Sequence, residues 1–461
     1  MADHLGERAV VLGAGIAGLL TSRALANRYR NVLVIERDEI IGVTGTRRGI
    51  PQGSHAHALL ARGQQILEDF FPGLLKEMQD DGVPIGDMAG RLRWYFNGAR
   101  LAQQDCGLLS VSATRPQLEA YIRDRVSALP NVEILQRTVI RGLVVSGDKT
   151  KVTGVRVTGA DTDANAEDVI AADLVVDATG RGSRAPAWLE EFGYERPDED
   201  SIKIDLTYTS RNFTLADDPF GDDLAINPVA FPANPRGAFF VNLGDRKALV
   251  SLTGILGDRP PGDIEGFLDY TQSLSAPEIH DAVRKAKPSG EATTFRVPAS
   301  VRRRYDKLDR FPAGFLVIGD GVCAFNPVYG QGMTVAAMEA VALTEHLAKG
   351  QPRPVEFFRE IKPIIDAPWS ISAGGDLAFP EVVGKRNLQV RIGNIFMSRL
   401  HTAAQVGGRF TAAFFRVAGL VDPPQTLMRP GFMLDALRTA RRVARGRSAR
   451  KAGTGLPSTA R

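Results

Sequence analysis

The sequence predicts a mixed α/β protein: a Rossmann-like parallel-sheet domain, interrupted by a mainly antiparallel β-sheet domain and followed by a C-terminal helical segment. Three observations predict it. Near the start, "AVVLGAGIAGLL" joins a short apolar run to a glycine turn and a helix-like stretch. Two later stretches, "DLVVDATGRGSR" and "GFLVIGDGVCAFNPVYGQGM", repeat the order of buried strand, acid and small-residue turn. Between them lie alternating, aromatic-rich runs broken by hairpin turn signals.

In the first element, residues 9–12 form the strand, and Gly13, Ala14, Gly15, Ile16, Ala17 and Gly18 match G-x-G-x-x-G. The first glycine allows a tight turn, the second a close backbone approach to a pyrophosphate, and the third close packing of helix on strand. The helix N-terminus then supplies free N–H groups for the phosphates. The next strand-like run, "NVLVIE", delivers Glu36, placed to accept hydrogen bonds from ribose hydroxyls. Strand, glycine turn, helix, strand and acid in this order predict a dinucleotide site.

The second element ends in Asp177, Gly180 and "RGSR", and the third puts Asp320 at its strand end, ahead of Pro327, Gly330 and Gly332. Both lie too late for one nucleotide half-domain. Three strand-to-turn elements converging on one ligand imply a long cofactor and an interrupted domain.

The interrupting stretches include "RLRWYFNGARLAQQ" with an Asn97–Gly98 turn, "SIKIDLTYTSRNFTL", and "AFFVNLGDRKALVSLTG" with a Gly244–Asp245 turn. They predict a sheet with an apolar inner face, and a mainly apolar cavity suits a lipophilic, carbon-rich ligand. Tyr208, Phe239, Trp94 and Phe96 are the candidate wall residues, although a residue of this kind is more often plain sheet core. From Pro354 onward, "PWSISAGGDLAFP" and "VRIGNIFMSRLHTAAQ" read as helices closing the site from one side.

Composition excludes several classes. With 461 residues, 44% of them hydrophobic and 24% charged, the chain has the make-up of a globular protein. It has no uninterrupted apolar run of about 18–20 residues for a membrane span and no signal-peptide pattern, so the expected location is the cytoplasm. The two cysteines, Cys106 and Cys323, have neither disulfide-framework nor metal-ligand spacing. His55 and His57 in "GSHAHALL" would share a strand face, but no third ligand is local; no metal is expected, and a cofactor-adjacent or capping role fits them better. From Arg429 onward nine basic residues face one acid, +8 in all, leaving −4 for the rest of a chain of net charge +4. That tail reads as a solvated helix end running into disorder, with a membrane-surface or acidic-partner contact as the second reading. Nucleic acid is not expected, because no aromatic follows Phe432 to stack on bases.

Taken together, the three motifs resemble the FAD-dependent monooxygenases of the para-hydroxybenzoate hydroxylase fold over most of residues 8–350. The wording "DATGRGS", "PQGSHAHALL" and "NPVYGQGMTVA" is similar to bacterial flavin epoxidases and hydroxylases of natural-product pathways, polyether epoxidases included, and "GMTVA" to squalene epoxidase. The resemblance implies that Gly13, Gly15, Ala17, Gly18, Glu36 and Arg37 hold the ADP half of FAD. It further implies Arg48, with Arg47 beside it, Arg115 in "SATRPQLEAYIRDRV", and Val139 as cofactor contacts. In the third motif it implies Asp320 on the ribitol hydroxyls, with Pro327, Gly330, Gly332 and Met333 bringing a helix start to the flavin pyrimidine edge. One departure stands out: many hydroxylases of this fold carry D-G in the middle motif, where this chain reads "DATGRGSR".

The implied activity is transfer of one oxygen atom from O2, through a flavin C4a-hydroperoxide, to a lipophilic polyene, polyketide or terpenoid alkene. NADPH or NADH would be the electron donor, directly or through a flavin reductase. The alternatives are aromatic hydroxylation, a geranylgeranyl-reductase-like alkene reduction, and a non-catalytic escort protein. Halogenation is disfavoured, because Trp94, Trp188 and Trp369 form no W-x-W-x-I-P segment. The implied domain plan places the FAD-binding domain at 1–85, 111–200 and 301–350, and the substrate domain at 86–110 and 201–300. Helices follow at 351–440 and a disordered basic tail at 441–461.

Overall fold

The computed structural model describes residues 4–43, 45, 51–57, 59–159 and 167–453. In chain order, the elements used below begin with β1 (Gly6–Leu12), α1 (Ile16–Ala26), β2 (Tyr29–Ile35), β3 (Leu92–Phe96), α2 (Arg115–Ser127), β4 (Val132–Leu135) and β5 (Leu174–Asp177). Next come β6 (Glu199–Thr214), β7 (Ala225–Pro228), β8 (Arg236–Asn242), β9 (Lys247–Gly254), α3 (Ile264–Gln272), α4 (Pro277–Val283) and β10 (Lys287–Arg303). The last are β11 (Phe315–Val317), α5 (Gly332–Ala348), α6 (Leu388–Ala404), α7 (Gly408–Ala418) and α8 (Pro430–Gly453).

The chain divides into two compact units, 1–83, 113–205 and 295–372 in the first and 84–112, 206–294 and 373–461 in the second. The long strands β6 and β10 carry the chain from one to the other. Secondary structure also outruns the expected plan at the C-terminus, because α8 continues to Gly453, into the segment read as a disordered tail.

The first unit is built on a five-stranded sheet of order β11-β5-β1-β2-β4, parallel throughout. Its central strands are short apolar runs because both faces of such a sheet are covered. Val10, Val11, Leu12, Leu174, Val175, Val176, Phe315, Leu316 and Val317 are all fully buried. The chain turns to opposite sides of β1 to place β2 and β5, so the carboxyl end of β1 is the topological switch point where such sheets bind ligands.

In the second unit the strands run β6-β9-β8-β7-β3, antiparallel except for the parallel β7–β3 pair. Both expected hairpins form. β3 pairs with Ala99–Arg100 around Asn97 and Gly98, both at positive φ as a two-residue turn of this hand requires. β8 pairs with β9 through Leu243–Arg246. One sheet face carries Phe213, Ala238, Phe240, Val250 and Leu252, packed against Phe267 and Tyr270 of α3 and Ile279 and Val283 of α4. Among the described residues, no helix is long and apolar enough to cross a membrane.

Candidate functional site

The first glycine loop forms at the carboxyl end of β1. Gly13 N–H donates to the Ile35 carbonyl (2.8 Å), tying the loop to β2. A Cβ on Gly18 would stand 1.9 Å from the Gly13 carbonyl oxygen, so α1 can leave the strand this tightly only with glycine there. No side chain caps α1, whose N-cap is Gly15, leaving its first-turn N–H groups and the positive end of the helix dipole available to an anion. Glu36 ends β2 in a buried position, its Oε2 accepting from Ala14 N–H (2.9 Å) and its Oε1 from Asp38 N–H (3.1 Å). The carboxylate is thus fixed beside the loop. Arg37 next to it is exposed, and the strand bearing Val139 begins with Thr138, whose N–H bonds the Glu36 carbonyl (2.9 Å).

The three motifs meet at the turn Gly319–Gly321. Gly319 has a φ of +67°, and a Cβ there would lie 2.9 Å from the Ala17 methyl, which brings the third motif onto the first. A Cβ on Gly180 would lie 3.9 Å from the Asp320 Cβ, and one on Gly332 would lie 3.4 Å from Asp320 Oδ1. Asp320 is therefore flanked by the middle turn on one side and by the start of α5 on the other. Arg181 reaches it with Nε 3.5 Å from Oδ2, while the same guanidinium donates to the carbonyls of Ala299 (3.3 Å) and Phe325 (2.5 Å).

The approach to α5 explains the proline and glycines. Asn326 Oδ1 accepts from Val328 N–H (3.0 Å), Pro327–Tyr329 make a single 3-10 turn, and Gly330 reverses the chain at φ +66°. α5 then begins at Gly332 and Met333 with no side-chain cap, a second helix start with free N–H groups.

Asp177 has a different job from the one its position suggests. Fully buried, it accepts from Thr179 N–H (2.9 Å), Thr179 Oγ1 (2.6 Å) and Ser183 Oγ (2.7 Å), so it braces the "ATGRGS" turn from inside. Burial pushes its carboxyl above the usual range.

Arg115 opens α2, whose N-cap Thr114 accepts from Gln117 N–H (3.4 Å), and its Nε donates to buried Glu119 (3.0 Å). His57 lies close enough to feel this cation. Burial first, then Arg115, push His57 down to about 3, and burial pushes His55 to about 4, so both rings are neutral at pH 7. His57 Nδ1 lies 2.8 Å from the His55 carbonyl, which makes Nδ1 the donor and leaves Nε2 as an acceptor. Among the described residues no group of three or more His, Cys, Asp or Glu is placed to hold a metal. Arg47 and Arg48 lie outside the described residues.

The four candidate wall residues share one face of the second unit's sheet. Alternation along the strands puts Tyr208, Phe239, Trp94 and Phe96 opposite the face packed on α3 and α4. Tyr208 is buried and Phe239 half-buried. Trp94 and Phe96 are more enclosed than an open wall would be, because Trp94 packs at a tilt on Phe415 (4.8 Å between centroids) and Phe96 at a tilt on His401 (4.4 Å) and edge-on to Phe414 (5.3 Å). Sequence reasoning missed three residues: Arg181, Glu339 beneath the Gly319 turn, and Asn227, which is buried beside Trp94 in the β7–β3 register with no partner for Oδ1 among the described residues. An acid inside the apolar stretch "TVAAMEAVAL" was the one available signal for Glu339.

Two uncapped helix starts and two carboxylates at strand ends suit a long anionic dinucleotide, and the comparisons agree. Residues 9–216 match the family model for FAD dependent oxidoreductases. Protein Rv3254 of Mycobacterium tuberculosis is 34% identical over 386 residues, covering 81% of each chain. A kynurenine 3-monooxygenase of Salinispora arenicola is 26% identical over 377 residues, covering 74% of this chain and 72% of its own. Among solved structures, the flavin-dependent brominase Bmp2 superimposes with a TM-score of 0.63 over 96% of this chain and 100% of its own, at 15% identity, a likeness of fold alone. The chain therefore belongs to the FAD-dependent oxidoreductase family and has the flavin-monooxygenase fold.

Proposed function

We propose that this protein is a FAD-dependent monooxygenase that transfers one oxygen atom from O2 to an alkene of a lipophilic natural product, a polyene, polyketide or terpenoid, and so forms an epoxide. The observation that carries the reading is the sheet face of Tyr208, Phe239, Trp94 and Phe96. It has no ionisable acid, base or nucleophile of its own on β8 or β3, where Gly237, Val241 and Leu92 complete it. On β6 and β9 it carries the Tyr208 phenol and the Thr253 hydroxyl as well as Ser210 and Ser251, whose hydroxyls bond each other (2.6 Å). The neighbouring imidazole, His401, is pushed by burial to about 4 and is a weak base. Hydroxylation of a phenol gains from a base that takes the phenolic proton, whereas alkene epoxidation needs none.

In this reading Gly13–Gly18 and the start of α1 bind the pyrophosphate of FAD, Glu36 the adenosine ribose and Asp320 the ribitol chain. Arg37, Arg48, Arg115 and Val139 complete the set. The N–H groups of Gly332 and Met333 favour negative charge at the flavin ring. Bound FAD supplies the activation of O2 and the oxygen transfer itself. The protein's share is to orient an apolar substrate and keep water out. Asn227 offers a buried polar contact on the aromatic face, its Oδ1 without a hydrogen-bond partner among the described residues, suited to a substrate hydroxyl. NADPH or NADH is the proposed donor, directly or through a flavin reductase.

The helical segment favours a lipophilic substrate as well. α6 leaves Leu388, Ile392 and Ile395 largely exposed at one-face spacing and contains no acid. On α8, Arg438, Arg441 and Arg445 are exposed along one stripe, and its single acid, Asp435, bonds Arg409 (2.9 Å). An apolar stripe and a basic stripe in one helical segment suit an anionic membrane surface holding such a substrate. The test of function is product analysis with polyenes and aromatic polyketides. Epoxides formed only with O2 and NAD(P)H support it, hydroxylated rings move it to the aromatic alternative, and saturated products formed without O2 replace it with reduction.

A further inference from the structure

We propose that Glu339, as a neutral carboxylic acid, is a positioning residue that sets the turn carrying Asp320, so that FAD is retained only while Glu339 keeps its proton. The inference rests on the reading that this turn holds FAD.

Glu339 lies seven residues into α5 and is fully buried. Its Oε2 accepts from Gly319 N–H (2.6 Å), and its Oε1 has no hydrogen-bond partner among the described residues. Gly319 is pinned on its other side by Ala17, with no room for a side chain between them. Asp320 follows directly. A movement of Gly319 would therefore shift Asp320 against Gly180, Arg181 and the start of α5 at once. Glu339 and Arg303 both hold the turn by its backbone, Arg303 Nη1 donating to the Gly321 carbonyl (2.9 Å), and nothing in the proposed chemistry otherwise uses Glu339.

The charges around Glu339 are of the wrong kind to keep it ionised. Asp320 in the bonded turn is an acid, and Cys323 on the following strand is a buried thiol pushed well above its usual range. Arg181 is committed to Asp320 and two carbonyls, and Arg302 on β10 to Asp366 (2.6 Å). On the helices packed against α5, Arg23 of α1 donates to the Phe70 carbonyl (3.2 Å), and Glu68 of Ala61–Phe70 accepts from Gly73 and Leu75. Burial, with Asp320 adding to it, raises the Glu339 carboxyl to about 8. Ionisation would place a second negative charge beside Asp320 at a site for an anionic cofactor. By linkage, a ligand that prefers the protonated form weakens by up to about tenfold per pH unit above the free-state pKa.

The test is titration of the flavin-free protein with FAD, followed by flavin fluorescence from pH 6.0 to 9.5, for wild type, E339Q and E339A. We expect the wild-type Kd to be flat to about pH 7.5 and to rise roughly 10- to 30-fold by pH 9.5. E339Q, whose amide carbonyl can still accept from Gly319 N–H, should bind within about threefold of wild type at pH 7 and show no such rise. E339A should bind weakly throughout, with circular dichroism reporting its folding. Matching pH profiles for E339Q and wild type overturn the proposal while leaving the FAD site intact. Failure of the wild type to bind FAD at any pH overturns both.

Discussion

Asp320 is the residue on which the cofactor reading can be tested most sharply, because it stands where three separated segments meet. A carboxylate that accepts ligand hydroxyls contributes about 1.5–3 kcal/mol, so Asp320→Ala should raise the FAD Kd roughly 10- to 100-fold in a fluorescence titration. An unchanged Kd would remove Asp320 from the site. Glu339 adds a stability effect separate from ligand binding. Its folded carboxyl titrates near 8 against about 4.5 in the unfolded chain, so the folded state binds the proton more tightly. The stabilisation is complete below about 4.5 and is lost as pH rises to about 8, at up to about 1.4 kcal/mol per unit. Thermal unfolding of the flavin-free protein should therefore show Tm falling across that window, and the fall should be absent in E339Q. The neutral histidines act at the other end: His55 and His57 are held below their unfolded value of about 6.5, so their contribution is present above it and lost as pH drops toward 3–4.

At the level of elements, the glycine loop, the hairpins and the third motif were all legible because their constraints are local. Gly18 must be glycine for α1 to clear the Gly13 carbonyl, and Asn97–Gly98 must take positive φ to close a two-residue hairpin. Gly18→Ala should consequently abolish FAD retention and lower Tm, measured on the same purified sample. Asp177 was legible as a strand-end acid but not as a turn brace, since Ser183 and Thr179 claim it only once the turn closes. Arg181, Glu339 and Asn227 were illegible for a related reason. Arg181 and Glu339 act on partners distant in sequence and Asn227 gains its place only from the β7–β3 register, and no periodicity or spacing announces such placements. Alternation did place Tyr208, Phe239, Trp94 and Phe96 on one face, whereas the packing of Phe96 against His401 and Phe414 was beyond it. If that face receives the substrate, Asn227→Leu should raise KM about tenfold with kcat little changed, the loss of one hydrogen bond. A fall in kcat at unchanged KM would instead give Asn227 a role in the chemistry.

For the whole molecule, the sequence separated what oxidises from what is oxidised. The proposed oxidant rests on short motifs with fixed backbone demands, while the proposed substrate rests on one sheet face and on helices whose exposure only the folded chain reveals. The surface of α6 and α8 yields its own prediction. The protein should sediment with vesicles containing about 30% anionic lipid and not with neutral ones, and Leu388→Ser with Ile392→Ser should reduce that binding several-fold. Equal recovery with neutral vesicles would rule out charge-guided membrane docking. Oxygen transfer from O2 to an alkene is best measured by turnover under 18O2 with FAD, NAD(P)H and a panel of lipophilic polyenes. The expected product is an epoxide heavier by one 18O atom, with none formed under argon. A product carrying oxygen from water, or an alkene reduced without O2, would contradict oxygen transfer.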